Sequence, residues 1–385
     1  MKSPTLLLFV LLFLFSVHTH RSFAQDSSRI RISLLTCTPG DELYSIFGHS
    51  AIRIIDSNSV TDYVFNYGTF NFEDEGFYLK FIRGKLLYFL SVEKSQDFMY
   101  DYSSMRRGIT EQVLNFSAEE KKEIEYALIE NLKEENKYYK YDFFLDNCTS
   151  RLRDIILKYK SPKTAISAVM PINTTFREAI HVYLDKGKQY WSKLGIDILL
   201  GMPTDKIMTP LEQTFLPDNL MNCLDHSKSS SIVVSKEIII SNQQPTIEPT
   251  VFTPTNFFIA LLLIFILINL IQSPIAKKCA VVLDGIIFFS TGALGILLIL
   301  MWTSTDHSMT KNNYNLLWAL PTNIMACFFV SSKNTFSKKY FSIQAIIYLL
   351  LLIVWFFLPQ KLNISLIPFV ILLLYRSYII GFKNG

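Results

Sequence analysis

The sequence predicts an α+β domain followed by an all-α bundle of about five transmembrane helices. Half of the 385 residues are apolar and only 18% are charged, which is below the quarter typical of soluble domains. The mean hydropathy is correspondingly high, at +0.27. The apolar residues are also unevenly distributed. Residues 25–226 alternate short apolar runs with polar turns, whereas residues 254–385 consist mainly of long apolar segments.

The first 24 residues predict a secretory signal peptide. Lys2 provides a positive start, residues 6–17 form an apolar run, and residues 22–24 have the small-x-small pattern of a cleavage site. The apolar run is short for a membrane span, although an uncleaved anchor helix is the alternative. In either case, we expect the chain that follows to be exported.

Residues 25–226 predict a globular domain that begins with strands. Alternation of apolar and polar residues predicts strands at 29–36, 50–55 and 60–65, with a turn between the last two. The aromatic-rich stretch 77–92 predicts one or two further strands. These segments supply the β component of the α+β prediction.

Two helices follow in the same domain. Ser117 and Glu120 have the spacing of a capping box, which predicts a helix that runs to about residue 134. A second helix is predicted over residues 148–159, because apolar residues recur there on one face. Pro162 ends this helix, since proline cannot continue the backbone hydrogen bonding.

A stretch containing Ser, Gln and Pro at 227–253 predicts a linker, and residues 254–385 predict a membrane domain. A membrane-spanning helix needs about 20 apolar residues to cross about 30 Å of hydrocarbon. Pro321 and Asn323 interrupt the third of five such segments. The segments are 254–272, 279–302, 315–332, 340–358 and 364–382.

The distribution of lysine predicts the topology of these segments. Lys277 and Lys278 lie in the first short loop, and three lysines of residues 333–339 lie in the third. Because positive loops remain in the cytoplasm, the globular domain and the loop containing Asp306 and His307 are expected on the outer face. The predicted location is therefore the cell inner membrane, as a multi-pass protein with its globular domain in the periplasm.

Charge and cysteine content exclude several classes of function. A net charge of +4 over this length gives no indication of nucleic-acid binding. The five cysteines and six histidines are irregularly spaced and form no zinc-binding pattern. We therefore expect no metal and no cofactor.

Cys148 and His49 form the candidate catalytic pair. A cysteine in the first turn of a helix lies where free backbone N–H groups and the helix dipole favour a thiolate. A histidine at the entry of a strand would then act as base and acid. This is the papain-type arrangement with the histidine first in the chain, as in circularly permuted members. The simpler alternative is a buried cysteine and a structural histidine, but Gly48 and the polar Asp146 and Asn147 favour the catalytic interpretation.

Further residues are candidates to support this pair. Asn66 is predicted to orient the imidazole of His49, with Tyr67 or Asp62 as alternatives. Five residues are candidates for a supporting or substrate-positioning role: Tyr44, Arg53, Tyr67, Asp146 and Asn147.

Cys37 is a rival nucleophile. It follows a predicted strand and has no helix start, so we interpret it as structural, with a disulfide to Cys223 as one option in an oxidising compartment. Asp306 and His307 are candidates for contact with a lipid headgroup or an amine at the outer membrane surface.

Several sequence strings resemble the Lnb-type lipoprotein N-acyltransferase family. They occur in the same order over essentially the whole mature chain. The strings are LLTCTPGDELYSIFGHSAIR at 34–53, VFNYGTF at 64–70, YDFFLDNC at 141–148 with Arg151, TDH at 305–307 and NYNLLWALP at 313–321.

The resemblance implies a permuted papain-like domain related to NlpC/P60 domains. It also implies N-acylation of the N-terminal cysteine of bacterial lipoproteins through a thioester on the enzyme, with a phospholipid as acyl donor and a diacylated lipoprotein as acceptor. Two alternatives remain open: a membrane-tethered cysteine peptidase or amidase, and a non-catalytic membrane scaffold.

Overall fold

The computed structural model describes residues 29–163, 165–226, 232–245, 248, 250–271 and 273–383. The predicted signal peptide at 1–24 lies outside the described residues. The α+β prediction is confirmed. An antiparallel sheet with helices forms the N-terminal part, here called the sheet domain, and helices form the C-terminal part, here called the helical region.

Seven antiparallel strands form one sheet in the order β6-β4-β3-β2-β1-β5-β7. The three strands predicted at the start of the domain are β1, β2 and β3, and they occupy the centre of the sheet. Cys37 at the end of β1 pairs with His49 at the start of β2. The strands are β1 (Ile30–Cys37), β2 (His49–Asp56), β3 (Thr61–Thr69), β4 (Leu87–Lys94), β5 (Ile109–Leu114), β6 (Tyr138–Lys140) and β7 (Val233–Ile240).

The prediction for residues 77–92 is only half correct. The second half forms β4, but Phe77–Ile82 forms a short helix, α1. Gly76 and Gly84 bound this helix and have positive φ values of 69° and 66°. Because glycine adopts this conformation without strain, the two residues turn the chain into and out of one helical turn that the aromatic composition did not reveal.

The predicted linker at 227–253 contains the edge strand β7. It pairs with β5 along nearly its whole length. Residues 233–240 are rich in valine and isoleucine, which favour strands, and the edge of β5 supplies unpaired backbone groups for such a segment. The Ser and Gln residues that indicated a linker flank this strand.

Helices cover the sheet on both faces. Leu152 and Ile156 of α4 pack against Ile52 of β2 in the main core of the sheet domain. The predicted capping box at Ser117 and Glu120 is present at the start of α3. The remaining helices of the domain are α2 (Ser95–Ser104), α3 (Ala118–Leu132), α4 (Cys148–Tyr159), α5 (Phe176–Lys186), α6 (Tyr190–Leu199), α7 (Pro210–Gln213) and α8 (Pro217–Asp225).

In the described part of the helical region, three helices are long and apolar enough to cross a membrane: Pro274–Thr303, Thr335–Phe357 and Ile364–Lys383. A shorter apolar helix, Pro254–Leu270, precedes them. These four correspond to the first, second, fourth and fifth predicted spans. The helices are named α9 (Pro254–Leu270), α10 (Pro274–Thr303), α11 (Asn323–Ala326), α12 (Thr335–Val354) and α13 (Ile367–Tyr378).

The third predicted span, at 315–332, is not a continuous helix. It consists of 3-10 turns on either side of the four-residue helix α11, because Pro321 has no N–H for the helical ladder. The segment runs antiparallel to α10 in very close contact. A Cβ on Gly292 would lie 2.1 Å from the backbone nitrogen of Ile324, and one on Gly295 would lie 2.1 Å from the carbonyl oxygen of Ala319.

The polar groups of this irregular segment are satisfied inside the bundle. The amide of Asn323 donates to the hydroxyl of Thr291 at 3.0 Å, and its carbonyl oxygen accepts from the hydroxyl of Tyr340 at 2.9 Å and from Gln344. Irregular backbone is tolerated at membrane depth where protein covers it. The segment therefore packs beside α10 as a chain of short turns.

Candidate active site

The first turn of α4 holds Cys148 in a defined position. The side chain of Asn147 accepts from the backbone N–H of Ser150, and the Ser150 hydroxyl accepts from the backbone N–H of Asn147, both at 2.8 Å. The Asn147 amide also donates to the carbonyl oxygens of Phe143 and Phe215. Asn147, a predicted supporting residue, thus caps the helix and fixes its start at the cysteine.

His49 lies at the start of β2, close enough to Cys148 for each residue to shift the pKa of the other. Burial alone raises the pKa of the Cys148 thiol, but the charge and hydrogen bond of His49, the backbone N–H of Ser50 and the hydroxyl of Thr149 lower it to about 7. Burial lowers the pKa of the His49 imidazole. The charge of Cys148 and the hydrogen bonds of His49 to Cys148 and Asn66 raise this pKa, and the net shift is upward. Both shifts favour a thiolate beside an imidazolium.

Asn66 on β3 contacts the other side of the His49 ring. The Nε2–H of His49 donates to the Oδ1 of Asn66 at 3.1 Å, which leaves Nδ1 to face the cysteine. The Asn66 amide donates to Oε1 of Glu93 at 2.8 Å. Since the amide must donate to the carboxylate, its oxygen is directed at the imidazole.

No local sequence pattern indicated a role for Glu93. It lies on β4, whose register with β3 places it diagonally across from Asn66. Burial raises the pKa of the Glu93 carboxyl, and Asp101 and Asp97 add to this shift, whereas His49 and Asn66 oppose it. The prediction of strands within residues 77–92 did not include their pairing with β3. Only that pairing could have identified Glu93 as the partner of Asn66.

Two glycines allow the strands to approach the cysteine. Gly48 has a φ of 79°, and a Cβ there would lie 2.7 Å from the carbonyl oxygen of Cys37. Gly68 has a φ of 90°, and a Cβ there would contact the Cβ of Cys148 at 3.5 Å. The close approach expected beside His49 is therefore present.

Cys37 lies behind His49 in a different environment from Cys148. It is fully buried, and burial raises the pKa of its thiol to about 12, against smaller opposing effects of Tyr102 and Arg107. The suggested disulfide with Cys223 is wrong, because both cysteines are free. Cys37 packs with Phe98 of α2 on one face of the sheet, whereas α8, which carries Cys223, packs its Leu220 on the other face.

A half-open cavity of about 530 Å³ exposes His49 and Asn66 to solvent, whereas Cys148 is not among the residues that line it and is only 9% exposed. Tyr44, one of the predicted supporting residues, lies at this cavity and is largely exposed. The residues that line the cavity include Tyr44, His49, Asn66, Gly68, Glu93 and Arg107.

Arg53 and Asp62 do not face the cavity but pair with each other. The Nε and Nη2 of Arg53 donate to the Asp62 carboxylate at 2.9 and 2.6 Å, and its Nη1 donates to Glu111 at 3.2 Å. Arg53 lies on the same strand as His49, four residues further along. Because a strand rises about 3.3 Å per residue, the two side chains are well beyond contact. The predicted positioning role of Arg53 and the orienting role of Asp62 are therefore not supported by their positions.

Tyr67 and Asp146 also have structural partners. The Tyr67 side chain is buried in the main core, and its hydroxyl accepts from the Asn131 amide at 2.6 Å. Asp146 accepts two hydrogen bonds from Arg151, both at 2.7 Å. Arg151 in turn covers the ring of Tyr139, 3.5 Å from its centre. These contacts of Asp146 and Arg151 stabilise the turn that leads into Cys148.

Asp306 and His307 bind the helical region to the sheet domain. The Asp306 carboxylate pairs with Lys140 at 2.9 Å, and its backbone N–H donates to the carbonyl oxygen of Arg83 at 3.0 Å. His307 Nε2–H donates to the carbonyl oxygens of Phe81 and Ile82, each at 3.1 Å. Both predicted substrate-contact residues thus lie in an interface between the two parts of the chain.

The fold and site define a membrane-anchored protein whose sheet domain carries a papain-type Cys–His–Asn arrangement. The family model for the Lnb N-terminal periplasmic domain matches residues 20–180, and the model for the Lnb transmembrane domain matches residues 246–384. The chain belongs to the Lnb family, so the resemblance seen in the sequence is confirmed. No curated protein and no solved structure matches the chain.

Family membership locates the two parts of the chain. The protein is a membrane protein with a periplasmic N-terminal part. The family is one of membrane-bound enzymes that process lipoproteins.

The reactivity of Cys148 should depend on pH in a way that His49 controls. Alkylation of Cys148 by iodoacetamide should rise with pH and reach half its maximum near pH 7, as the thiolate forms. In His49→Ala the favourable charge is lost and burial remains, so the midpoint should move to 9.0 or above, the ordinary thiol range. Peptide-resolved mass spectrometry would measure this, with Cys37 as an unreactive internal reference. An unchanged midpoint in the variant would contradict the pairing.

Proposed function

We propose that the protein is a lipoprotein N-acyltransferase that transfers a fatty acyl chain from a phospholipid to the N-terminal cysteine of a diacylated lipoprotein. The observation that carries this proposal is the Cys148–His49–Asn66 arrangement on a domain bound directly to a membrane bundle. A thiol enzyme for soluble substrates would need only a single anchor. A bundle attached beside the thiol suits two substrates that both reside in the membrane.

In the first step, the Cys148 thiolate attacks the carbonyl carbon of the phospholipid acyl ester. A carbon–sulfur bond forms, the ester carbon–oxygen bond breaks, and the lysophospholipid alcohol leaves with a proton from His49. Backbone N–H groups in the first turn of α4 have no partner within the helix and would stabilise the oxyanion as it develops. Asn66, held by Glu93, keeps the imidazole in the orientation that presents Nδ1.

In the second step, the neutral α-amine of the lipoprotein cysteine attacks the thioester. A carbon–nitrogen bond forms, the carbon–sulfur bond breaks, and His49 accepts the proton of the amine. The reaction restores the thiolate–imidazolium pair with which it began. Because the pKa of the Cys148 thiol is about 7, its thiolate is a good leaving group. This property favours aminolysis over a stable acyl-enzyme.

We also propose that the protein is a multi-pass protein of the cell inner membrane. Residues 1–24 would act as a signal peptide, residues 25–226 with β7 would form the catalytic domain, and residues 254–385 would cross the membrane five times, with 315–332 as the irregular third crossing. The lysine-rich first and third loops support a cytoplasmic location for those loops.

The test is the chemistry of lipoprotein N-termini. The chain would be expressed in a bacterium that lacks its own lipoprotein N-acyltransferase, and N-terminal lipopeptides would be analysed by mass spectrometry. The expected result is one additional acyl chain in amide linkage on the N-terminal cysteine. Diacylated lipoproteins with free α-amines, despite normal amounts of the protein in the membrane, would reject the proposal and favour the peptidase alternative.

A further inference from the structure

Helix α1 presents an apolar surface to solvent. Four of its six residues leave roughly half or more of their surface exposed, and Phe72 just before the helix is 64% exposed. Soluble domains seldom leave such a contiguous apolar patch uncovered without a function for it. The residues of this patch, here called the α1 surface, are Phe72, Tyr78, Leu79, Phe81 and Ile82.

The α1 surface lies at the level where the membrane bundle meets the sheet domain. The helix is hydrogen-bonded at its C-terminal end to Asp306 and His307, only a few residues beyond the outer end of α10 at Thr303. Trp302 is partly exposed at that end of α10, and tryptophan prefers the interface between hydrocarbon and water. The C-terminal end of α1 therefore lies next to the loop that follows α10.

The charges around α1 fit a phospholipid surface. Arg83 and Lys85 are exposed on the side that meets the membrane loop. The acidic residues of 73–75 precede the helix on its other side, and Asp74 is paired with Lys80. Exposed cations next to an apolar surface allow apolar side chains to enter the interface while the cations meet lipid phosphates.

A row of aromatic rings connects the α1 surface with the neighbourhood of Cys148. Phe81 stacks on Phe77, with ring centres 6.2 Å apart, and Phe77 stacks on Phe70 at 5.9 Å. Phe70 contacts Tyr88 at 5.3 Å, and Tyr88 stacks on Tyr141 at 4.3 Å. Tyr141 and Cys148 both lie beside Gly68, since a Cβ on that glycine would be 3.5 Å from each. The row of contacting rings therefore runs from the exposed α1 surface to the neighbourhood of Cys148.

We propose that the α1 surface inserts into the interface of the outer leaflet, with phospholipid as its binding partner, and that the aromatic row guides an acyl chain from the bilayer toward Cys148. The first part concerns an interaction surface and stands independently of catalysis. The second part rests on the proposed acyltransferase function. Membrane insertion through α1 would explain why this short helix, unlike the longer helices of the sheet domain, exposes most of its apolar residues.

Site-specific photo-cross-linking in nanodiscs tests the lipid contact. The photoreactive residue p-benzoylphenylalanine would replace Leu79, which is 62% exposed, or Val60, which is 90% exposed at the far end of β2 from His49. The full-length protein would be placed in nanodiscs of phosphatidylethanolamine and phosphatidylglycerol. Covalent phospholipid adducts at position 79 but not at position 60 are expected. Equal labelling at both positions, or cross-links at position 79 to a second copy of the chain instead of lipid, would overturn the proposal.

A second measurement separates lipid delivery from the chemistry itself. Leu79→Ser should slow acylation of Cys148 by bilayer phospholipid about tenfold, because the donor is presented less often to the thiol. Acylation by a water-soluble short-chain acyl thioester should be unchanged, and Val60→Ser should be normal with both donors. Equal slowing of both donors by Leu79→Ser would indicate a structural effect and would overturn the delivery role. If the protein with p-benzoylphenylalanine at position 79 cross-links to lipid, but Cys148 of the wild-type protein is never acylated, the α1 surface proposal would stand and the proposed function would be rejected.

Discussion

Replacement of Cys148 with alanine should reduce lipoprotein N-acylation at least about 10⁴-fold, to the background of the assay. In the proposed mechanism the Sγ of Cys148 carries the acyl chain, and no other described cysteine has the same environment. Cys37 is the nearest alternative, but burial raises the pKa of its thiol to about 12, so it carries almost no thiolate at neutral pH. His49→Ala should be similarly inactive, since the thiol then loses its base and its favourable charge.

The matched control is Cys37→Ala. This change removes a buried thiol at the same end of the sheet but leaves both His49 and Cys148 in place. It should retain most of the activity. Because His49 and Cys148 act as one unit, the double variant should be no less active than either single variant. The measurement is the rate of lipopeptide N-acylation in nanodiscs, with each variant's amount in the membrane determined in parallel. Normal acylation by Cys148→Ala, or loss of activity only in Cys37→Ala, would assign the chemistry to another thiol.

Arg376→Ala should strongly destabilise the helical region. Arg376 on α13 donates two hydrogen bonds to Asp284 on α10, both at 2.7 Å, and both side chains are almost completely buried. A carboxylate inside a membrane span is costly without a partner. Removal of one member of a buried pair leaves the other charge uncompensated, at a cost of about 3–5 kcal/mol.

The double variant Asp284→Leu with Arg376→Met is the control for this prediction. It removes both charges and fills similar volumes, so it should be much more stable than Arg376→Ala alone. Unfolding of the purified protein in detergent, followed by circular dichroism, would measure the difference. If both variants lost the same stability, the pair would act through its shape and not through its charges.

The sequence predicted the parts of the fold that local patterns determine. Alternation located β1, β2 and β3, a capping box located the start of α3, and the recurrence of apolar residues on one face located α4. The same patterns drew attention to His49 and Cys148, because one begins a strand and the other begins a helix. Such features depend on a few neighbouring residues and are therefore visible without knowledge of the packing.

Other features depend on contacts between distant segments. Strand β7 pairs with the free edge of β5, and Gly292 and Gly295 allow the irregular third predicted span to lie against α10. Glu93 reaches Asn66 only through the register of β3 and β4. Composition and periodicity carry no information about these pairings.

The loop containing Asp306 and His307 shows the same limit at the level of function. Its polar residues and its position beside the membrane suggested contact with substrate. The structure instead pairs Asp306 with Lys140 and His307 with the backbone of α1. Residues of an internal interface and residues of a binding site have similar composition, so only the three-dimensional contacts distinguish them.

Direct detection of an acyl thioester on Cys148 tests the central claim most sharply. The full-length protein in phospholipid nanodiscs, without an amine acceptor, would be digested and analysed by mass spectrometry. We predict a fatty-acyl mass on Cys148 that neutral hydroxylamine removes and that is missing in His49→Ala. Addition of a diacylated lipopeptide should remove the acyl group from Cys148 and form an amide on the N-terminal cysteine of the lipopeptide. A Cys148 that is acylated by peptide substrates and never by phospholipid would contradict the account, since it would identify a thiol peptidase.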